Sequence, residues 1–268
     1  MKRILAGLAL ASSAALMTTA PAHAAAPADP VKALKKQYVA GHGVRVSETA
    51  RTSADGKNTS VMTTNGTFGF GKSGVVAADL RTRVKGGAAT GLFPPRVVTV
   101  GKHTYAQGGL FSEELPEGKK WVRYANQASP RTGSQLLDIF EPKVLKALVS
   151  RAKSVKNATY RGSVTYGDLS KIYGEPVPDT LKKVKVDYAL DLNSKGLVTG
   201  IRSEFTLDFG ILGKTTTTVS TRFTGWGAKI SIKAPPADEV IDISELGSDT
   251  QVPQTIPNGS LNSLGRIQ

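Results

Sequence analysis

The sequence predicts an α+β protein, mainly antiparallel β, in which a curved half-barrel sheet of about ten or eleven strands carries helices on its concave face. Three observations lead there. Apolar and polar residues alternate with a period of two along most of the chain, turn signals separate these stretches at short intervals, and a single helical stretch interrupts them. Short links favour antiparallel hairpins, because parallel pairing needs long crossovers. A sheet of this size curls rather than lying flat.

The elements run in order. DPVKALKKQYVA, residues 29–40, reads as a helix capped by Asp29, with Pro30 at its opening position. Val44 and Val46 begin a strand, Asp55-Gly56 marks a turn, and Asn65-Gly66 signals a hairpin. GTFGFGKS, residues 66–73, then satisfies the phosphate-loop pattern letter for letter, and Gly69, Gly71 and Gly74 satisfy the dinucleotide fingerprint. Both patterns need a helix whose first amides receive the phosphates. Beyond Ser73, however, Val76, Ala78, Leu80, Thr82 and Val84 alternate with Ala77, Asp79, Arg81, Arg83 and Lys85, the pattern of a half-buried strand. The nucleotide readings fail on that context. RVVTVGKHTYAQ gives two strands around Gly101-Lys102, and KKWVRY another.

Helical spacing enters with Leu136, Leu137, Phe140, Val144, Leu145, Leu148 and Ala152. Pro142 cannot lie inside a helix, so the stretch predicts one short helix ending near Phe140 and a second starting at Glu141 or Pro142. NATYRGSVTYG resumes the strand pattern, and DLSKIYG predicts a turn or brief helix. Val184, Val186, Tyr188, Leu190 and Leu192 alternate with polar residues, and the return strand places Leu197, Ile201, Phe205, Leu207 and Phe209 against Arg202, Glu204 and Asp208. TTTTVSTRFTGWG predicts a β-branched strand, AKISIKAPP an edge strand and ADEVIDISELG a short closing helix.

Residues 1–24 read as a secretory signal peptide, with Lys2 and Arg3 ahead of an apolar run and Ala22-His23-Ala24 as a small-x-small cleavage site. Residues 25–247 form one domain, and 248–268, rich in Ser, Asn, Gly and Pro, a disordered tail. Cysteine is absent, which excludes disulfides, thiolate metal sites, cysteine nucleophiles and a lipid anchor at the cleavage site. The expectation is a secreted monomer of the extracellular or cell-wall space, not lipid-anchored. Of 35 Lys+Arg, two fall in the signal, leaving 33 against 21 Asp+Glu, a balance of +12. Such a charge favours anionic partners, a membrane surface or an envelope polymer, without specific nucleic-acid recognition.

Chemistry has few parts to work with. Only His42 and His103 remain after the signal, no Gly-x-Ser-x-Gly elbow occurs, and Glu113-Glu114 and Asp238-Glu239 read as solvated loops. Neither an enzyme, a metal site nor a cofactor is expected.

The order of elements, with the phrases LPEGKKWVRY before the helical stretch and WGAKISIKAPPADEVID at the exit, resembles the LppX/LprA/LprF/LprG family of actinobacterial lipoproteins and, more distantly, the LolA/LolB lipoprotein carriers. The resemblance covers nearly all of residues 31–246. It implies an eleven-strand half-barrel around helices, with an apolar cavity for the acyl chains of lipids, glycolipids or lipoproteins. The lipobox cysteine of the LppX pattern is missing, so a soluble, non-enzymatic shuttle is the picture implied. Candidate cavity-lining residues are Phe68, Phe70, Leu80, Leu137, Phe140, Leu148, Tyr188 and Phe205. Enclosing roughly ten methylenes is worth about 8 kcal/mol, the scale of micromolar binding before ordering costs. The alternative is a scaffolding protein that grips anionic envelope polymer through Arg81, Arg83, Lys85, Lys183 and Lys185.

Overall fold

The computed structural model describes residues 29–86, 91, 93–125, 131–132, 134–247 and 250–256. The signal peptide expected at 1–24 lies outside them. A first meander comprises β1 (His42–Ala54), β2 (Lys57–Gly71), β3 (Gly74–Lys85), β4 (Arg96–Val100), β5 (His103–Gln107) and β6 (Trp121–Ala125). A second comprises β7 (Ala152–Lys156), β8 (Thr159–Thr165), β9 (Lys185–Leu192), β10 (Val198–Asp208) and β11 (Lys214–Lys229). The two are sewn together where β11 pairs with β1, and β12 (Val240–Asp242) is added outside β6. The result is one open, curved sheet in the order β12-β6-β5-β4-β3-β2-β1-β11-β10-β9-β8-β7.

Turn chemistry sets several of these links. Asp55 and Gly56 both take positive φ, 48° and 80°, as a two-residue hairpin with matching twist requires. The phosphate-loop letters form the end of β2 and a turn at Lys72-Ser73 that leads into β3. Asn65-Gly66, by contrast, makes no hairpin: β2 runs straight through it. Gly66 serves there as a close approach, since a Cβ at that position would sit 2.0 Å from the Asp79 carbonyl oxygen.

Among the described residues three helices lie against the concave face: α1 (Pro30–Lys36), α2 (Pro142–Ser150) and α3 (Tyr166–Tyr173). Asp29 caps α1 by accepting from the Val31 and Lys32 amides, and Glu141 caps α2, which opens on Pro142. Thr165 and Asp168 form a reciprocal capping box on α3, which ends at left-handed Gly174. Leu34 of α1, Val144, Leu145 and Leu148 of α2, and Leu169 of α3 join Val44, Val46, Phe68, Phe70, Val186, Leu190, Ile201 and Phe205 of the sheet in the principal core.

Five further expectations need correction. The helix expected before Phe140 is absent: residues 134–140 are bends and turns, and only α2 is helical. The stretch read as its C-terminal end, from Ala152, is the edge strand β7. AKISIKAPP is not an edge strand but the end of β11 followed by an irregular segment. That segment crosses the convex face, where Ile232 packs against Val98, Tyr105 and Trp121. This crossing is the long link that permits the parallel pairing of β12 with β6, where sequence spacing suggested none. The closing helix is instead two three-residue 3-10 turns flanking β12.

Part of the expected tail is also structured. Val252 is buried with Ala106, Phe111, Val122, Tyr124 and Ile241 in a second core under β5, β6 and β12. The Tyr124 hydroxyl donates to the Pro253 carbonyl at 2.6 Å. Burial of one valine and one tyrosine contact outweighs a polar, Gly- and Pro-rich composition.

Candidate functional site

The link from β6 to β7 joins strands near opposite edges of the sheet, so it must cross the concave face. It does so as α2 preceded by an irregular strap, described at residues 131–132 and 134–141. A buried segment without regular structure needs other partners for its backbone, and here side chains provide them. The Leu137 amide donates to Gln135 Oε1 at 3.2 Å and the Phe140 amide to Asp138 Oδ1 at 2.9 Å. The Tyr173 hydroxyl of α3 accepts from the Asp138 amide at 3.0 Å and donates to the Leu136 carbonyl at 2.7 Å. The Tyr38 hydroxyl donates to the Phe140 carbonyl, and burial pushes its pKa up, which keeps it a donor.

Beneath the strap a row of polar side chains crosses an otherwise apolar sheet. Register aligns Thr82 of β3, Thr64 of β2, Glu48 of β1 and Thr221 of β11. Glu48 lies on the same face as Val44, Val46 and Ala50 and is 2 % exposed. Its Oε2 accepts from Thr132 Oγ1 at 2.6 Å and Thr221 Oγ1 at 2.8 Å, while Oε1 has no hydrogen-bond partner among the described residues. Burial raises its pKa to about 7 against these hydrogen bonds, which pull it down. Gln135 extends the row, donating to Thr221 Oγ1 at 3.3 Å and accepting from Ser203 Oγ at 2.8 Å. Asp138 sits with Arg131 Nε 3.3 Å away, and burial holds its pKa up in spite of that cation. The Arg131 guanidinium also lies 4.6 Å over the Tyr173 ring.

The strap's apolar side chains fill the space below it. Leu136, Leu137 and Ile139 are buried, and the Phe140 ring lies 5.0 Å from Phe68, 5.5 Å from Phe223 and 5.9 Å from both Phe70 and Trp226. Among the described residues, Phe68, Gln135, Leu137, Phe140, Thr221 and Phe223 border a cavity of about 20 Å³, room for one water molecule and for no hydrocarbon chain. Of the sequence-derived lining candidates, Phe68, Leu137 and Phe140 border this cavity. Phe70, Leu80, Leu148, Tyr188 and Phe205 belong to the same core without bordering it. The Tyr188 hydroxyl has a distinct task, donating at 2.6 Å to the Leu148 carbonyl near the end of α2.

Sequence reasoning missed Phe223, Thr221, Thr132, Gln135 and above all Glu48. A signal for Glu48 was present, since in a strand reading Val44, Val46, Glu48, Ala50 the acid falls on the buried phase of the period. The cationic candidates are exposed and divide into two groups: Arg81, Arg83 and Lys85 on β3, and Lys183 in the turn before β9 with Lys185 at its start. His103 is exposed beside Tyr105, and His42 Nδ1 lies 3.3 Å from the Ala40 carbonyl. Among the described residues no three of His, Asp and Glu converge as a metal site, and no helix is long and apolar enough to cross a membrane.

No family model matches the chain, and no curated protein matches it in sequence. Among solved structures it is similar to LprF from Mycobacterium bovis, with 12% identity over 77% of this chain and 95% of that one and a TM-score of 0.42. It is also similar to a LolA superfamily protein from Nitrosomonas europaea, at 8% identity, 77% and 93% coverage and a TM-score of 0.28. A DUF1329 family protein from Desulfovibrio piger gives 11% identity, 76% and 95% coverage and a TM-score of 0.25. The first two carry the family names that the sequence resembles. At these scores the likenesses decide neither ligand nor activity.

Proposed function

We propose that the protein is a secreted, non-enzymatic carrier for the acyl chains of a lipid, glycolipid or lipoprotein, which enter by displacing the strap. The observation that supports this is the strap itself: a roof over the apolar concave face that is hung on side-chain hydrogen bonds and shares no strand ladder with the sheet. It can lift without unpairing a strand. Its four apolar side chains, Leu136, Leu137, Ile139 and Phe140, are each worth about 1.5–3 kcal/mol when buried, on the order of 6–12 kcal/mol together. An acyl chain placing roughly ten methylenes in the same trough recovers about 8 kcal/mol. Occupancy is therefore a competition between strap and ligand, decided by the polar anchors at Glu48, Gln135 and Tyr173.

The test is an organic extract of the protein purified from its native host, read by mass spectrometry, together with titration of a fluorescent long-chain fatty acid. Co-purifying acyl lipid and saturable binding that persists in high salt are the expected results, because burial of a chain is insensitive to screening. A clean extract with no saturable binding contradicts the reading.

A further inference from the structure

The convex face carries a second, unrelated feature. Gly200 of β10 has Arg222 of β11 opposite it on one side, and next along the same face Arg202 of β10 is aligned with Ala189 of β9, itself aligned with Arg161 of β8. The small residues Gly200 and Ala189 floor a trough of about 260 Å³, and the three guanidiniums border it. Among the described residues none of the three forms an ion pair, and all three are exposed. Asp191 also borders the trough, but its Oδ1 is engaged by Thr159 Oγ1 at 2.6 Å.

The trough continues across the sheet. Register carries Arg222 through Ser47 and Asn65 to Arg81, and Arg202 through Ser220, Thr49 and Thr63 to Arg83. Every residue between the arginines in these two rows is small or polar and uncharged. From Arg161 on β8 to Arg83 on β3 is six strand spacings, roughly 30 Å. Of the other carboxylates on this face, Asp79 is paired with Arg96, while Glu204, which accepts from Thr218 Oγ1, and the exposed Asp187 aligned with it lie one residue pair along from Arg202 and Ala189.

We propose that this arginine band is a docking surface for a linear polyanion bearing repeated phosphate groups, with the Arg161–Arg202–Arg222 trough as its anchor point. Guanidinium forks suit phosphate oxygens, and several exposed forks in rows match a chain of charges rather than a single ion. Curvature selects between polyanions and membranes, since a flat bilayer meets a convex sheet along one ridge only, whereas a flexible chain follows it from β8 across to β3. The surface is on the opposite face from the strap, so it stands or falls independently of lipid carriage.

The experiment measures binding of long-chain inorganic polyphosphate to the full protein at several salt concentrations, with inorganic phosphate and phosphatidylglycerol vesicles as separate arms. Polyphosphate is expected to bind with an affinity that falls steeply with salt, and the triple variant Arg161→Ala, Arg202→Ala, Arg222→Ala to bind about tenfold or more weakly with a shallower salt slope. A control variant with the same charge loss on α1, Lys32→Ala, Lys35→Ala, Lys36→Ala, is expected to lose far less. The proposal is overturned if the triple variant binds as the unaltered protein does, if the α1 control loses as much, or if vesicles bind while polyphosphate does not.

Discussion

Replacing Phe140 by alanine is expected to move stability and ligand affinity in opposite directions. The ring is the strap's largest contribution to the core, touching Phe68, Phe70, Phe223 and Trp226 at centroid distances of 5.0–5.9 Å. Its loss removes the transfer energy of the ring and leaves a cavity, together about 3–5 kcal/mol. The same void enlarges the water-sized space that Phe140 borders with Phe68, Leu137 and Phe223, and it removes the side chain that competes most strongly with an acyl chain. Urea unfolding should therefore show the loss of stability, and fatty-acid titration a tighter complex. A residue with a purely structural role gives the first result with no gain in the second.

The second large effect is a stability that falls as pH rises through the range in which Glu48 ionises. Its carboxyl has a pKa of about 7 in the fold against 4.5 in the unfolded chain. A folded pKa above the unfolded one means a contribution fully present below pH ~4.5 and lost by the time pH passes about 7. The shift corresponds to about 3 kcal/mol. The groups packed against Glu48 cannot cancel it, being the neutral Thr64, Thr132 and Thr221, while Arg131 directs its charge to Asp138 and Glu175. Asp138, also raised by burial, adds to the trend, whereas the carboxyls of Asp168 and Asp242 are held low by Arg151 and Arg123 and act in the opposite sense only at more acid pH. Glu48→Gln keeps the shape and removes the charge. Compared with the unaltered protein between pH 4 and pH 8, its unfolding free energy should gain about 3 kcal/mol in relative terms. A constant difference across that range would show that Glu48 is not buried in the native protein.

The particular residues that sequence reading placed and misplaced share a physical pattern. Alternation within β3, β9 and β10 was legible because one face of each strand is buried and the other wet, and Pro142 located α2 because a missing amide is harmless only at a helix start. Asn65-Gly66 misled because a hairpin signal is local, whereas Gly66 is required by the neighbouring strand's carbonyl. The strap carries apolar residues at helical spacing, yet Gln135 and Asp138 bond to backbone amides two residues on and so offer the chain an alternative to the helix. The convex arginines lie on β8, β10, β11 and β3, and only the register between strands reveals that they share one face.

The central claim is that a ligand enters by displacing the strap, and the absence of native cysteine makes it directly measurable. Ser134 has a buried hydroxyl with no partner among the described residues, so Ser134→Cys places a small thiol on the strap with little disturbance. The rate at which a thiol reagent modifies this residue should rise when saturating long-chain fatty acid is added, while a cysteine at Thr63, on the convex side of β2, reacts at an unchanged rate. Fatty acid that binds without altering the Ser134→Cys rate, or that fails to bind at all, would contradict the account.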